Sequence, residues 1–110
     1  MSSATAPPQH QKVTASNLAH GMLCFMVSFV DPEMLIPILE TLIFEGRNEL
    51  GDFKFRNATS VFLGESDEAA AAAARIVFCE EKDLAGLEDL DGAVKILSVC
   101  ADQRRRKAGA

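Results

Sequence analysis

The stretch MLCFMVSFVDPEMLIPILETLIFEGR, residues 22–47, decides what kind of domain this chain can form. Its first part, Met22–Val30, is apolar throughout except at Ser28. A strand that is apolar on both sides of its pleat is one covered on both faces, so this segment predicts a central strand. Its phenylalanines, valines and cysteine favour a strand over a short buried helix. The run is about half the length a bilayer requires, and extending it meets Asp31, Glu33 and Glu40.

The second part is ambiguous. Asp31-Pro32-Glu33 has the form of a helix start: a capping side chain, a proline suited to the first turn and an acid at the positive end of the dipole. Met34, Leu35, Ile38, Leu39, Leu42 and Ile43 follow at helical spacing, and Gly46 is a natural stop. This spacing predicts a helix. Pro37 opposes it, because an internal proline removes a hydrogen bond and costs about 3 kcal/mol. The rival reading ends the helix near Ile36 and makes Leu39–Arg47 a strand. Thr41, Ile43 and Glu45 then share one face, and Leu42 and Phe44 the other.

Working outward, Asn48–Asp52 reads as a turn with Gly51-Asp52 at its tip. Phe53–Leu63 reads as a strand in which Phe53 and Phe55 alternate with Lys54 and Arg56. After a break at Gly64–Glu68, the alanines 69–74 form a short helix started by Ser66, Asp67 and Glu68. Arg75–Glu80 is rich in β-branched residues and predicts another strand. Leu84, Leu87, Leu90, Val94, Leu97 and Ala101 recur every three or four residues, with Glu88, Asp91, Lys95, Asp102 and Arg105 opposite. That is a long amphipathic helix which Gly86 and Gly92 divide. The expected architecture is α+β: a small antiparallel sheet of three or four strands, helices on one face and a long C-terminal helix. Residues 1–16 carry almost no large apolar side chain and read as a flexible arm, 17–103 as a single domain, and 104–110 as a basic tail.

The chain has 110 residues, of which 48% are hydrophobic and 25% charged, so it holds one ordinary globular domain. All 16 acidic residues, but only six of the 11 basic ones, lie between His20 and Gln103. The body is therefore acidic, and nucleic acid is a poor partner for it. Only Arg104, Arg105, Arg106 and Lys107 would attract phosphate. There is no basic n-region before the apolar run, so the chain shows no signal-peptide pattern. Cys24, Cys79 and Cys100 are odd in number, widely spaced and set among apolar residues. They read as small buried hydrophobes in a reducing, cytoplasmic setting, with the reactivity of each left open.

No catalytic constellation is legible. His10 lies in the arm. His20 would meet Cys24 only if that segment were helical. Three scattered cysteines do not make a zinc site, and no phosphate-cradling glycine loop, GxSxG or HExxH pattern occurs. Glu80, Glu81, Asp83, Glu88, Asp89 and Asp91 are dense enough to hold a cation or a basic partner, but they also suit a solvated helix face. Asn57-Ala58-Thr59 matches a glycosylation acceptor without a secretory route to use it. Phe53-Lys54-Phe55-Arg56 is the one basic-aromatic interleaving; it reads as an amphipathic strand rather than a base-stacking platform. Catalytic, cofactor and metal residues are thus not assigned, and no membrane contact is expected. The high apolar load points to a non-enzymatic protein–protein interaction module, a homodimer or a subunit of a larger assembly. The alternatives are a regulatory domain that binds a small ligand and, behind it, a small enzyme using a cysteine or a carboxylate.

Overall fold

Between Leu23 and Cys79 the chain lays down four antiparallel strands in the order in which they occur: β1 (Leu23–Phe29), β2 (Pro37–Arg47), β3 (Phe53–Asn57) and β4 (Ile76–Cys79). The computed structural model describes residues 12–109. Two short helices, α1 (Ala58–Leu63) and α2 (Asp67–Ala72), link β3 to β4. A 3₁₀ turn (Glu81–Gly86) then leads into the long helix α3 (Leu90–Ala108). The α+β class, the four-stranded antiparallel sheet and the long C-terminal helix are those expected from the sequence.

The stretch 22–47 is a β-hairpin. Leu23 pairs with Ile43 and Phe29 with Pro37, so the helix expected from Met34 is replaced by strand β2. Pro37 explains the outcome. It stands at the first position of β2, where no ladder hydrogen bond is asked of it. Leu42 and Phe44 point into the core, as the rival strand reading requires. Asp31 does not start a helix; it organises the hairpin loop. Its carboxylate accepts the amides of Leu35 and Ile36 at 2.8–3.0 Å. Desolvation opposes the ionised form, but these amides, together with nearby Arg104, hold the Asp31 carboxyl below its ordinary pKa. Gly46 does not stop a helix either. With φ +107° it sits where the β2–β3 register shifts between Phe44 and Arg47, a bulge that strains any residue with a Cβ.

Two further expectations are corrected. β1 is an edge strand, not a central one; among the described residues only Phe25 is capped on its outer side, by an antiparallel bridge to Glu88. β3 ends at Asn57, not Leu63, because Asn57 turns the chain into α1, its Oδ1 accepting the Thr59 amide at 2.8 Å. The capping role accounts for the Asn57-Ala58-Thr59 tripeptide, and Asn57 also donates to Glu40. The Ser66 cap of α2 is as read, its hydroxyl accepting the Ala69 amide.

One face of the sheet carries Cys24, Leu42, Phe44, Phe53, Phe55 and Cys79, covered by Val13, Leu84 and Leu87. Val13 is 2% exposed, so the core begins inside the segment expected to be an arm; residues 1–11 of that segment lie outside the described residues. At the other end, Arg104–Lys107 are not a separate tail. They form the last turns of α3.

Candidate functional site

Two surfaces collect side chains that could do something: a buried polar network on the sheet, and the apolar ground between the hairpin and α3. The first is built by alternation. Lys54 and Arg56 lie on the β3 face opposite Phe53 and Phe55, and strand pairing brings Glu45 of β2 beside them. Arg56 is 6% exposed. Its Nε donates to Glu45 at 2.8 Å, its Nη1 to Ser60 Oγ at 3.0 Å, and its Nη2 to Asp67. Lys54 donates to Asp67 at 3.1 Å and lies 3.4 Å from Glu45. Glu45 first, then Asp67, hold the guanidinium firmly charged. Lys54 and Arg56 hold the Asp67 carboxyl below its usual value. Each of the three guanidinium nitrogens of Arg56 donates within the network. The arrangement ties α1 and α2 to the sheet; its charges are paired with one another, and of its acids only Asp67 stands largely in solvent.

The second surface starts at the hairpin loop. The carbonyl of Leu35 accepts from Arg104 Nη1 at 2.7 Å and from the Cys100 thiol at 3.6 Å, while Lys107 pairs with Glu33. These contacts clamp the loop to the C-terminal half of α3. Beside the clamp, Phe29, Met34, Ile96, Val99 and Cys100 line a cavity of about 290 Å³ with Lys95 and Gln103 at its rim. Met34 holds a left-handed φ of +59°, a conformation that costs a non-glycine residue roughly 1–2 kcal/mol. Val30, Ile36, Ile38 and Leu39 stand half-exposed or more on the same hairpin.

The helix itself is rotated from the phase expected. Small residues, Gly92, Ala93 and Cys100, are the ones buried, with Ile96 and Leu97 partly covered. Leu90 and Val94, expected on the core stripe, are 60% and 53% exposed. The side that docks is the one that allows close approach, and the bulkier apolar residues form a shoulder beside it.

The residues singled out as chemical candidates are not brought together. His20 is exposed in the turn before β1, whereas Cys24 is fully buried, and no hydrogen bond joins them. Burial, reinforced by Asp89, pushes the Cys24 thiol up to about 11, and burial with Asp83 raises Cys79. All three cysteines are buried free thiols. The acidic run is spread out: Asp83 accepts the Glu80 amide, Asp89 caps α3 at the Gly92 amide, and Glu88 faces Lys12. Among the described residues no group of three or more His, Cys, Asp or Glu could hold a metal ion. Phe53 and Phe55 are sealed in the core, so they cannot stack on bases. No family model, curated protein or solved structure matches this chain. Among the described residues no helix is long and apolar enough to cross a membrane.

The Arg56 network escaped the sequence reading because it joins residues from β2, β3, α1 and α2. A signal existed. The alternation that puts Lys54 and Arg56 on one face, combined with the strand reading that puts Glu45 outward, already pairs opposite charges.

Proposed function

We propose that this chain is a non-enzymatic protein–protein interaction module that works as a homo-oligomer or as a subunit of a larger assembly. The observation that carries the reading is the apolar surface on the hairpin and on α3. Large apolar side chains at Val30, Met34, Ile36, Ile38, Leu39, Leu90, Val94 and Val99 stand about half or more exposed. Isolated exposed apolar residues are ordinary, but here they recur within one loop (Val30, Met34, Ile36) and on one side of a helix (Leu90, Val94), and such groups mark surfaces that a partner covers. The titratable residues favour the same reading. The ion pairs serve to fasten elements together, and the thiols are buried with two of them raised, which suits packing rather than nucleophilic chemistry.

Sedimentation velocity over about 1–200 μM tests this, since standard interfaces hold at such concentrations. A mass above the 11.9 kDa monomer is expected. A monomer throughout that also fails to bind a hydrophobic dye would overturn the reading.

The apolar cavity beside Phe29 favours a second reading, a regulatory domain with a small apolar ligand. At about 290 Å³ it is at the lower limit for a small-molecule site. A thermal-shift screen against apolar metabolites, repeated on Val99→Trp to fill the cavity, tests it. A midpoint rise that the filled variant loses would support it.

A further inference from the structure

We propose that the exposed shoulder of α3 is the seat of a second copy of this chain, bound antiparallel along the same shoulder of its own α3. The proposal rests on the interaction-module reading and names the surface and the partner. At 100° per residue, Leu90, Val94 and Ala101 lie within about 40° of one another, with Arg105 about 20° and Ser98 about 40° further round. This face stands roughly 80–100° away from the buried side marked by Ala93 and Cys100, so the sheet does not cover it. Leu90, Val94 and Ser98 are all exposed. The middle of the face is small, Ser98 and Ala101, which lets two helix backbones approach.

Charge selects the occupant. The helix begins with Asp91 on the edge of this face and carries Arg105 on the same face near its end, with Arg106 beside it. A parallel copy would bring base against base and acid against acid. An antiparallel copy, with its two-fold axis near Ser98, sets the acidic start of each helix beside the basic end of the other. Such an isologous contact closes as a dimer. Arg105 is available for this. Arg105 and Arg106 hold Asp102 only at the surface, both more than 70% exposed, and exposed pairs of this kind exchange at little cost. The hairpin loop is a poorer match, because its acid Asp31 is engaged by the amides of Leu35 and Ile36. Residues 1–11 are a poor occupant, since Met1 is their one large apolar side chain.

Sedimentation equilibrium of the full chain reads the outcome. The wild type should dimerise with a micromolar constant, as suits a short helix seam. Val94→Asp should weaken the dimer about tenfold or more while circular dichroism stays native, because the residue is exposed in the monomer. Asp91→Arg should weaken it about fivefold, and adding Arg105→Asp should restore most of the loss, the charges having been exchanged across the seam. Under mild oxidation Ser98→Cys, close to the axis, should form a disulfide-linked dimer, and Leu90→Cys should not. A wild-type dimer indifferent to Val94→Asp would overturn the α3 seat and leave self-association through another surface. Cross-linking at Leu90→Cys instead of Ser98→Cys would overturn the antiparallel arrangement. Loss of the dimer on deleting residues 1–11 would transfer the contact to that segment and overturn the proposal. A monomer at every concentration would remove self-association itself.

Discussion

Arg56 shows at the residue scale how this chain uses charge. A guanidinium taken almost wholly out of water is stable only if its donors are occupied, and Glu45, Ser60 and Asp67 occupy them. Arg56→Ala should therefore destabilise by about 2 kcal/mol, measured by urea unfolding, because Glu45 and the buried Ser60 lose their partner. Asp67→Asn should cost far less, since Asp67 is 70% exposed and water replaces what it loses. Equal losses at the two positions would mean that the network is not centred on Arg56. Cys24 carries the opposite kind of information. Its thiol is held neutral when folded, with a pKa near 11 against 9.0 for an ordinary cysteine. A group whose folded pKa is raised contributes fully below its unfolded value and loses that contribution as pH rises through the folded one. Stability should thus be flat in this respect up to about pH 9 and fall between about 9 and 11. Cys24→Ala should flatten that part of the curve, with Cys79 retaining a smaller share. An unchanged alkaline slope in the variant would show that Cys24 ionises freely in the folded protein.

At the scale of elements, the test falls on the phase of α3. Ala93 is 2% exposed against the sheet, and Val94 faces solvent in the monomer. Ala93→Asp should cost several kcal/mol by burying an unpaired charge, whereas Val94→Asp should change the monomer's melting temperature little. The reverse ranking would restore the stripe that apolar spacing alone suggests. That stripe was legible as a helix but not as an orientation. Leu90, Val94, Leu97 and Ala101 share a side, yet the small residues Gly92, Ala93 and Cys100 are what let the helix approach the sheet, and hydrophobicity does not register smallness. Asn48–Asp52, Ser66, Phe53 and Phe55 were legible because each depends on local chemistry: turn formers, a capping hydroxyl, strict alternation. The hairpin was half legible. Met34–Ile43 satisfies a helical period and a strand run together, and the single residue that decides between them is Pro37, whose cost inside a helix is absent at a strand start. The end of β3 was hidden for a related reason, since Val61, Phe62 and Leu63 look like strand and only the Asn57 cap turns them into α1. The sequence also made β1 look central, because Cys24 and Phe25, on opposite faces, are both buried, although the strand lies at the edge of the sheet.

At the scale of the whole molecule, the ends of the described chain are parts of the fold, and this changes what they can do. Val13 belongs to the core cluster with Leu84 and Leu87. Val13→Asp should lower the melting temperature by about 10 °C or more, given that about 1 kcal/mol shifts a domain of this size by 4–8 °C. A near-native melting temperature would mean that Val13 is dispensable to the core. The basic end of α3 is tied down as well. Arg104 holds the Leu35 carbonyl, Lys107 pairs with Glu33, and Arg105 and Arg106 rest on Asp102. A phosphate backbone would have to displace these contacts beside a body in which acids far outnumber bases. It would also find no aromatic platform, because Phe53 and Phe55 are buried. Four contacts at a slope near −0.9 each give roughly 150-fold weaker binding for a fourfold rise in salt. No binding to DNA or RNA is therefore expected at physiological ionic strength in a filter-binding titration at two salt concentrations. Submicromolar affinity that survives the higher salt would mean that Arg104–Lys107 leave the loop and Asp102 to form a nucleic-acid face, and that the acidic body is not the barrier its charge implies.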